Sequence, residues 1–420
     1  MYDRGFVNEN RDGLSERRHP IYSTEGDTRD EFFRDYTRIL HSNAYRRLKH
    51  KTQVFYNINN DHICTRMEHV SHVEAVSHSI ALGLDLDPEL TRAIACGHDL
   101  GHAPFGHHGE NVLSKIMEDH LSPEYKKTLR LNDGDKLFWH ERNGLRFVDD
   151  IELLPDPHGI RKNLNLTYAV RDGIISHCGE IDVNGLCPRN ELIDLDDYKK
   201  VGQYSPASWE GCVVKISDKI AYLGRDIEDA VTLHFLSEES LAELKALGEK
   251  YCGRGVLNTS SIMHEMIGDI CRNSTPGKGI TLGDEKYELL CRIKEFNYKY
   301  IYLNERFHSY LRYAGMVLEE LFRVLHAMYR GEDTVAGLLD EYKQLYPKLT
   351  REFTEWLATY CDPALIPAQM RSVDTAEIEN HKIYAKLENE DLYVQAIVDF
   401  LSGMTDAYAV SVFNELLTFA

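Results

Sequence analysis

The chain has 420 residues, 43% hydrophobic and 28% charged, an ordinary globular composition that excludes low-complexity, collagen-like and fully disordered chains. Its 48 basic and 68 acidic residues leave a net charge of −20, which repels polyanions and excludes a general nucleic-acid coat, though a small anion can still bind where bases gather. No stretch approaches the ~18 uninterrupted apolar residues of a membrane span, the polar start Met1-Tyr2-Asp3-Arg4-Gly5 lacks a signal-peptide core, and nine scattered cysteines fit reduced thiols in a cytoplasmic protein.

Strand signals are weak, and the patterning predicts an all-α fold of two to three domains at most. Between 65 and 84, His69, Val73, Val76 and Ile80 fall on one helical face. Pro88-Glu89-Leu90 opens another helix, which runs through Ile94 and Ala95 to the glycines at 97 and 101. Residues 112–165 mix helical pieces with loops at Asn132-Asp133-Gly134 and Pro155-Asp156-Pro157. Residues 179–210, with Gly185, Pro188, Pro206 and the acidic run Asp194 to Asp197, read as an irregular insertion placed to cover a site or an oligomer contact. Helix resumes from Val213 to Asp229. A helical C-terminal region follows from about 236, including Phe307 to Tyr329, punctuated by Pro347, Pro363 and Pro367. The expected division is therefore 1–235 and 236–420.

Eleven of the 20 histidines lie between His41 and His120, so chemistry is sought there first. The densest piece runs from Gly97 to Glu110. Its adjacent His98 and Asp99 offer an imidazole and a carboxylate, both ordinary ligands for a divalent cation. Upstream, His69 sits on the inward face of its helix. Downstream, Asp218 is an acid within the apolar run Val213 to Tyr222, and a buried acid needs a partner charge or a metal. Taken singly, each has a plain structural explanation: a satisfied core histidine, a capping aspartate, a chance dipeptide. Their succession along the chain points to a metal site.

Longer strings carry a resemblance. They are Asp35 to Ile39, Ala44 to Phe55, Thr65 to His69, Gly97 to His107, Trp139 to Asn143, Asn165 to Thr167, Val170 to Ile174, Asp218 to Asp226 and Ser402 to Asp406. Over nearly its whole length the sequence resembles the HD-domain metal phosphohydrolases, and within them the dGTPase-like deoxynucleoside triphosphate triphosphohydrolases. The resemblance implies an HD-domain helical bundle with an additional helical C-terminal region that completes the nucleotide pocket. It implies hydrolysis of a dNTP, dGTP foremost, to deoxynucleoside and tripolyphosphate. The implied metal ligands are His69, His98, Asp99 and Asp218, holding Mg²⁺ or Mn²⁺ in turnover, with Zn²⁺, Fe²⁺ or Ni²⁺ also suited to such a set.

The implied catalytic group is His102, His107, His140 and Glu110. His107 is favoured as the acid at the leaving 5′-oxygen, oriented by Glu110, with His102 and His140 at the phosphates. Arg66 and Lys219 match phosphate-contacting positions. Lys219 stands where bacterial relatives often carry an acid and where the animal SAM- and HD-domain hydrolase carries lysine; a solvated helix lysine is the other reading. Tyr222 and Asp226 follow Asp218 on one helical stripe. The resemblance implies a tyrosine under the deoxyribose, excluding a 2′-hydroxyl, and an aspartate on the 3′-hydroxyl; a core tyrosine and an Asp226–Arg225 pair are the alternative. Arg46 is a further candidate for the sugar or base. Tyr298-Lys299-Tyr300-Ile301-Tyr302 reads either as a base-pocket lining or as an aromatic core helix. Ala407 departs from the arginine that relatives often carry there. The resemblance also implies a homo-oligomer, hexamer or tetramer, and an activating dNTP at a subunit interface. Competing readings are another HD phosphohydrolase, acting as a 5′-nucleotidase or phosphodiesterase, and a non-catalytic nucleotide sensor.

Overall fold

A computed structural model describes residues 4–22, 26–56, 60, 62–178, 183–253, 255–367, 378–379 and 381–418. Helix dominates these residues, as the patterning predicts. One small antiparallel hairpin, Leu153–Pro155 with Arg161–Asn163, is the exception. It turns through Asp156, whose Oδ1 accepts from the His158 and Ile160 amides at 2.8 and 3.0 Å. No single described helix is long and apolar enough to cross a membrane, and the cysteines among the described residues are free thiols.

Local chemistry sets the helix ends. The Arg66–Leu84 helix starts on a capping box: Thr65 accepts from the Glu68 amide, and Glu68 returns the bond to the Thr65 amide at 2.8 Å. It stops at Asp85, which takes the left-handed conformation at φ 61°. Asp87 then caps Pro88–Gly97, with Pro88 in the first turn, where its missing N–H is no loss. Ser208 caps Trp209–Thr232 through the Gly211 amide.

Pro88–Gly97 is buried along most of its length. It packs against Glu31–His41, Arg66–Leu84, Tyr168–Ser176 and Trp209–Thr232. Its second half is wholly buried from Ala93 onward, which fits the run of alanine, cysteine and glycine there, while Glu89 and Arg92 stay partly exposed and pair with each other. One apolar core surrounds it, with Ile39, Val73, Ile94, Val170 and Ala221. A second joins Val76, Ile80 and Ile220 to Ile262, Leu289 and Ile301. A third packs Ala103, Phe105 and Leu113 against Leu318, Phe353, Ile397 and Val412. The Arg66–Leu84 helix feeds the first two cores, and residues 100–105 link the first to the third.

Within the stretch expected to be irregular, residues 179–182 lie outside the described residues, and 183–208 contain one short 3-10 turn at Leu195–Asp197. This segment is tied down at Asp172, which pairs with Arg189 and accepts from the Ala207 amide at 2.6 Å. It is also tied at Ile280 through paired backbone bonds with Leu186.

Candidate active site

Four side chains from three elements converge on one buried point. His69 comes from the Arg66–Leu84 helix, four residues after its cap Thr65. His98 follows the last turn of Pro88–Gly97, Asp99 is next to it, and Asp218 projects from the middle of Trp209–Thr232. His69 Nε2 lies 3.0 Å from Asp218 Oδ1 and 3.8 Å from Asp99 Oδ2. His98 Nε2 lies 3.5 Å from Asp99 Oδ1 and 3.8 Å from Asp218 Oδ1. His98 Nδ1 donates to the Ala95 carbonyl at 2.7 Å, so Nε2 carries the lone pair, and this buried atom has no hydrogen-bond partner in the protein. Burial works against charge on both aspartates, but the imidazoles around them, with Arg66 for Asp99, hold both carboxyls well below the usual range. Two ionised carboxylates, two imidazoles and an orphaned ring nitrogen aimed inward fit a divalent metal ion.

Arg66 is fully buried, and its guanidinium donates to Asp99 Oδ2 at 3.0 Å. It thus orients a ligand carboxylate as well as bringing positive charge to the centre.

Beside this point stands a second group built around Glu110, in the first turns of Gly106–His120. His102 Nδ1 is 2.6 Å from Glu110 Oε1, His140 Nδ1 is 3.2 Å from it, and His107 Nδ1 is 3.5 Å from Oε2. His102 Nε2 reaches Asp99 Oδ1 at 3.0 Å, joining the two groups. The His102 and His140 rings stack at 3.7 Å. Two stacked imidazolium ions would repel, and the environment separates them. Burial, Arg66 and His140 press His102 down to about 4. His140, against its own burial, is carried up to about 10 by Glu141 and Glu110. Of the three, His107 alone is exposed, with 64% of its side-chain surface open.

A glycine makes this closeness feasible. A Cβ on Gly101 would lie 2.1 Å from the His140 carbonyl oxygen and from the Gly144 amide nitrogen. Only glycine lets the two backbones cross there and bring His140 onto His102. The loop is anchored from elsewhere in the chain. Buried Lys51 donates to the His102 carbonyl and, at 3.0 Å, to the Ser402 carbonyl. Asp406 accepts from the Phe105 amide at 2.9 Å and from the Thr52 hydroxyl at 2.6 Å. Phe105 itself sits in the left-handed region at φ 64°. Burial pulls Lys51 down to about 7.

Lys219 is buried one residue after Asp218, and Tyr222 is half-buried on the same helix. Asp226 is buried and accepts from the Tyr302 hydroxyl at 2.5 Å; desolvation lifts its carboxyl to about 7. The aromatic run divides. Tyr302 reaches Asp226, Ile301 enters the core, Tyr300 bonds Glu243 at 2.7 Å, and Tyr298 is exposed. Arg46 is exposed on Asn43–Arg47, and none of the ion pairs or hydrogen bonds described above involves it. Ala407 is exposed in the first turn of Asp406–Leu416.

Sequence reasoning missed His177, which stands just past the end of Tyr168–Ser176. It is buried, its ring is 4.9 Å from His98, and its Nε2 is 3.3 Å from His140 Nε2. Its only signal was position: it closes the helix opened by the string Val170 to Ile174.

Comparison with known proteins places the chain in a family. The HD domain family matches residues 66–223, the span from Arg66 through Asp218. A deoxyguanosinetriphosphate triphosphohydrolase-like protein of Caldanaerobacter subterraneus subsp. tengcongensis is 31% identical over 392 residues, covering 93% of this chain and 86% of the relative. One from Rickettsia canadensis is 30% identical over 414 residues, covering 92% and 93%. One from Desulfatibacillum aliphaticivorans is 33% identical over 299 residues, covering 70% and 73%. The chain is an HD-domain phosphohydrolase. It belongs to the deoxyguanosinetriphosphate triphosphohydrolase-like family.

Proposed function

We propose that the protein hydrolyses a deoxynucleoside triphosphate, dGTP foremost, to the deoxynucleoside and tripolyphosphate. The observation that carries this reading is the contact between the His69–His98–Asp99–Asp218 cluster and the Glu110 group, made through the 3.0 Å approach of His102 to Asp99. His69, His98, Asp99 and Asp218 would hold a divalent ion, Mg²⁺ or Mn²⁺ in turnover. Such an ion polarises a phosphoryl oxygen and lowers the pKa of water.

The remaining roles belong to the chain. Arg66 fixes Asp99 and adds positive charge against the triphosphate. Lys219 adds a second cation one residue from Asp218. His107, exposed where a substrate can reach it and within 3.5 Å of Glu110, gives its proton to the departing 5′-oxygen. Glu110, held ionised against its burial by His140 and His102, orients that imidazole. His102 and His140 face the phosphates. Tyr222 packs against the sugar at C2′, and Asp226, held by Tyr302, accepts from the 3′-hydroxyl. A homo-oligomer with an activating dNTP is part of the same reading.

The test is a product analysis. Each dNTP, singly and in mixture, is incubated with the protein and Mg²⁺, Mn²⁺ or EDTA, and the products are resolved by ion exchange. Deoxynucleoside with intact tripolyphosphate, lost in EDTA, is expected. Turnover confined to mixtures would identify an activating nucleotide. Monophosphate with pyrophosphate, or no product from any dNTP, would overturn the proposal.

A further inference from the structure

Buried tyrosine hydroxyls need a partner, and four in this chain have one. Tyr198 donates to the Tyr204 carbonyl, Tyr302 to Asp226, Tyr384 to Asp399 and Tyr393 to the Leu325 carbonyl. Tyr56 differs. It directly follows the string Ala44 to Phe55, and among the described residues no hydrogen bond engages its hydroxyl. Its ring is nonetheless held in place. It stacks on Tyr310 with centroids 4.7 Å apart and planes 9° from parallel, and Phe307 packs across it at 6.3 Å. Burial pushes the phenol above its ordinary value, so the hydroxyl keeps its proton and is a donor.

That donor reaches the start of the Gly106–His120 helix. A Cβ on Gly106 would stand 2.9 Å from the Tyr56 hydroxyl and 3.3 Å from Arg66 Nη2. Glycine, here at φ 58°, therefore keeps open a space that both donors border. The helix begins without a side-chain cap, so its opening amides are left for a ligand. The Arg66 side chain is equally unmatched. It is 2% exposed, its Nη1 donates to Asp99, and its buried Nε has no partner. A phenol, a guanidinium and a helix N-terminus gathered around one glycine offer donors only. A phosphate offers acceptors only, whereas a sugar hydroxyl would also have to find an acceptor. His107, the proposed acid, is the next residue along the chain.

We infer that Tyr56 is a further substrate-binding residue, whose hydroxyl donates to a phosphate oxygen of the triphosphate beside Arg66 Nη2 and the first amides of the Gly106–His120 helix. The inference rests on the proposed function for the identity of the ligand. It adds to the phosphate contacts a side chain that the resemblance does not supply, and it gives the Tyr56–Tyr310 stack a purpose: the ring is fixed before the substrate arrives, so little rotamer freedom is lost on binding.

The full-length protein, with Mn²⁺ in excess, is titrated calorimetrically with tripolyphosphate and, separately, with deoxyguanosine. Tyr56→Phe removes one oxygen and keeps the ring on Tyr310. It should weaken tripolyphosphate about tenfold to a hundredfold, the size of a hydrogen bond to a charged group. It should also raise the KM for dGTP and leave deoxyguanosine binding as it was. Equal tripolyphosphate affinity in variant and wild type would overturn the inference. So would a loss confined to deoxyguanosine, which would put the hydroxyl on the sugar or base, and so would a wild type that does not bind tripolyphosphate. The proposed function is decided separately, by wild-type turnover. A chain that binds tripolyphosphate through Tyr56 yet releases no deoxynucleoside from any dNTP would overturn that function and keep this contact.

Discussion

Among the imidazoles around Glu110, His107 alone meets solvent. Replacing it with alanine should lower kcat by ~10²–10⁴, the usual range for a lost general acid, while dNTP binding persists. Single-turnover rates beside equilibrium binding would check this, and near-wild-type turnover would remove it from the role. Asp226 makes a different prediction, because desolvation lifts its carboxyl to about 7. Below the unfolded value of ~3.9 both states are protonated and no difference arises. As pH rises the unfolded chain ionises first, so stability drains away between about pH 4 and 7, by roughly 3–4 kcal/mol at most. Asp226→Asn should remove that loss, gaining on the wild type between pH 5 and pH 8 in urea unfolding. An equal offset at both values would contradict it. Tyr222→Ala should relax discrimination between dGTP and GTP, read as the ratio of kcat/KM for the two. At this scale the sequence was legible where chemistry was concentrated. The convergence of His69, His98, Asp99 and Asp218 is visible because acids and imidazoles stand on otherwise apolar faces. His177 and Lys51 were not, since a lone histidine and a lone lysine declare their burial only through partners distant in the chain.

At the scale of elements, two of the helices that carry the ligands announced themselves, one through the spacing of His69, Val73, Val76 and Ile80 and one through Pro88 in its first turn. Their inward faces followed from spacing. The 153–163 hairpin did not, because strands of three residues lie below what alternation can reveal. Nor did the pinning of the 101–106 loop, which depends on packing rather than on pattern. Two substitutions probe that loop. Gly101→Ala would drive a methyl group into the His140 carbonyl and should destabilise by about 1–3 kcal/mol, the range for overpacking. Asp406→Ala strips acceptors from Thr52 and Phe105. It should cost about 1–3 kcal/mol and lower kcat more than it raises KM, although Asp406 lies outside the His–Asp cluster. Chemical denaturation with steady-state kinetics reads both, and an unchanged kcat in Asp406→Ala would free the loop from this anchor.

For the molecule as a whole, the apolar cores join distant stretches. Leu289 and Ile301 fill the same interior as Val76 and Ile220, and Val412 packs in the core that holds Leu113. A chain ending at residue 235 would expose those partners' faces, and should give weak near-ultraviolet dichroism and rapid proteolysis; a cooperative unfolding transition would contradict this. The overall helical character was legible because composition and spacing report burial on average. The sharing of cores was not, because apolar residues at helical spacing look alike whichever partner they meet. The lysine bridge from His102 to Ser402 also has a consequence for biosynthesis. During translation His98 to His107 emerge early, yet the carbonyl and the carboxylate that hold this loop come from the last two helices. Until residues 402–406 have been made, a growing chain therefore carries every implied ligand of the metal site beside a loop that lacks these two anchors.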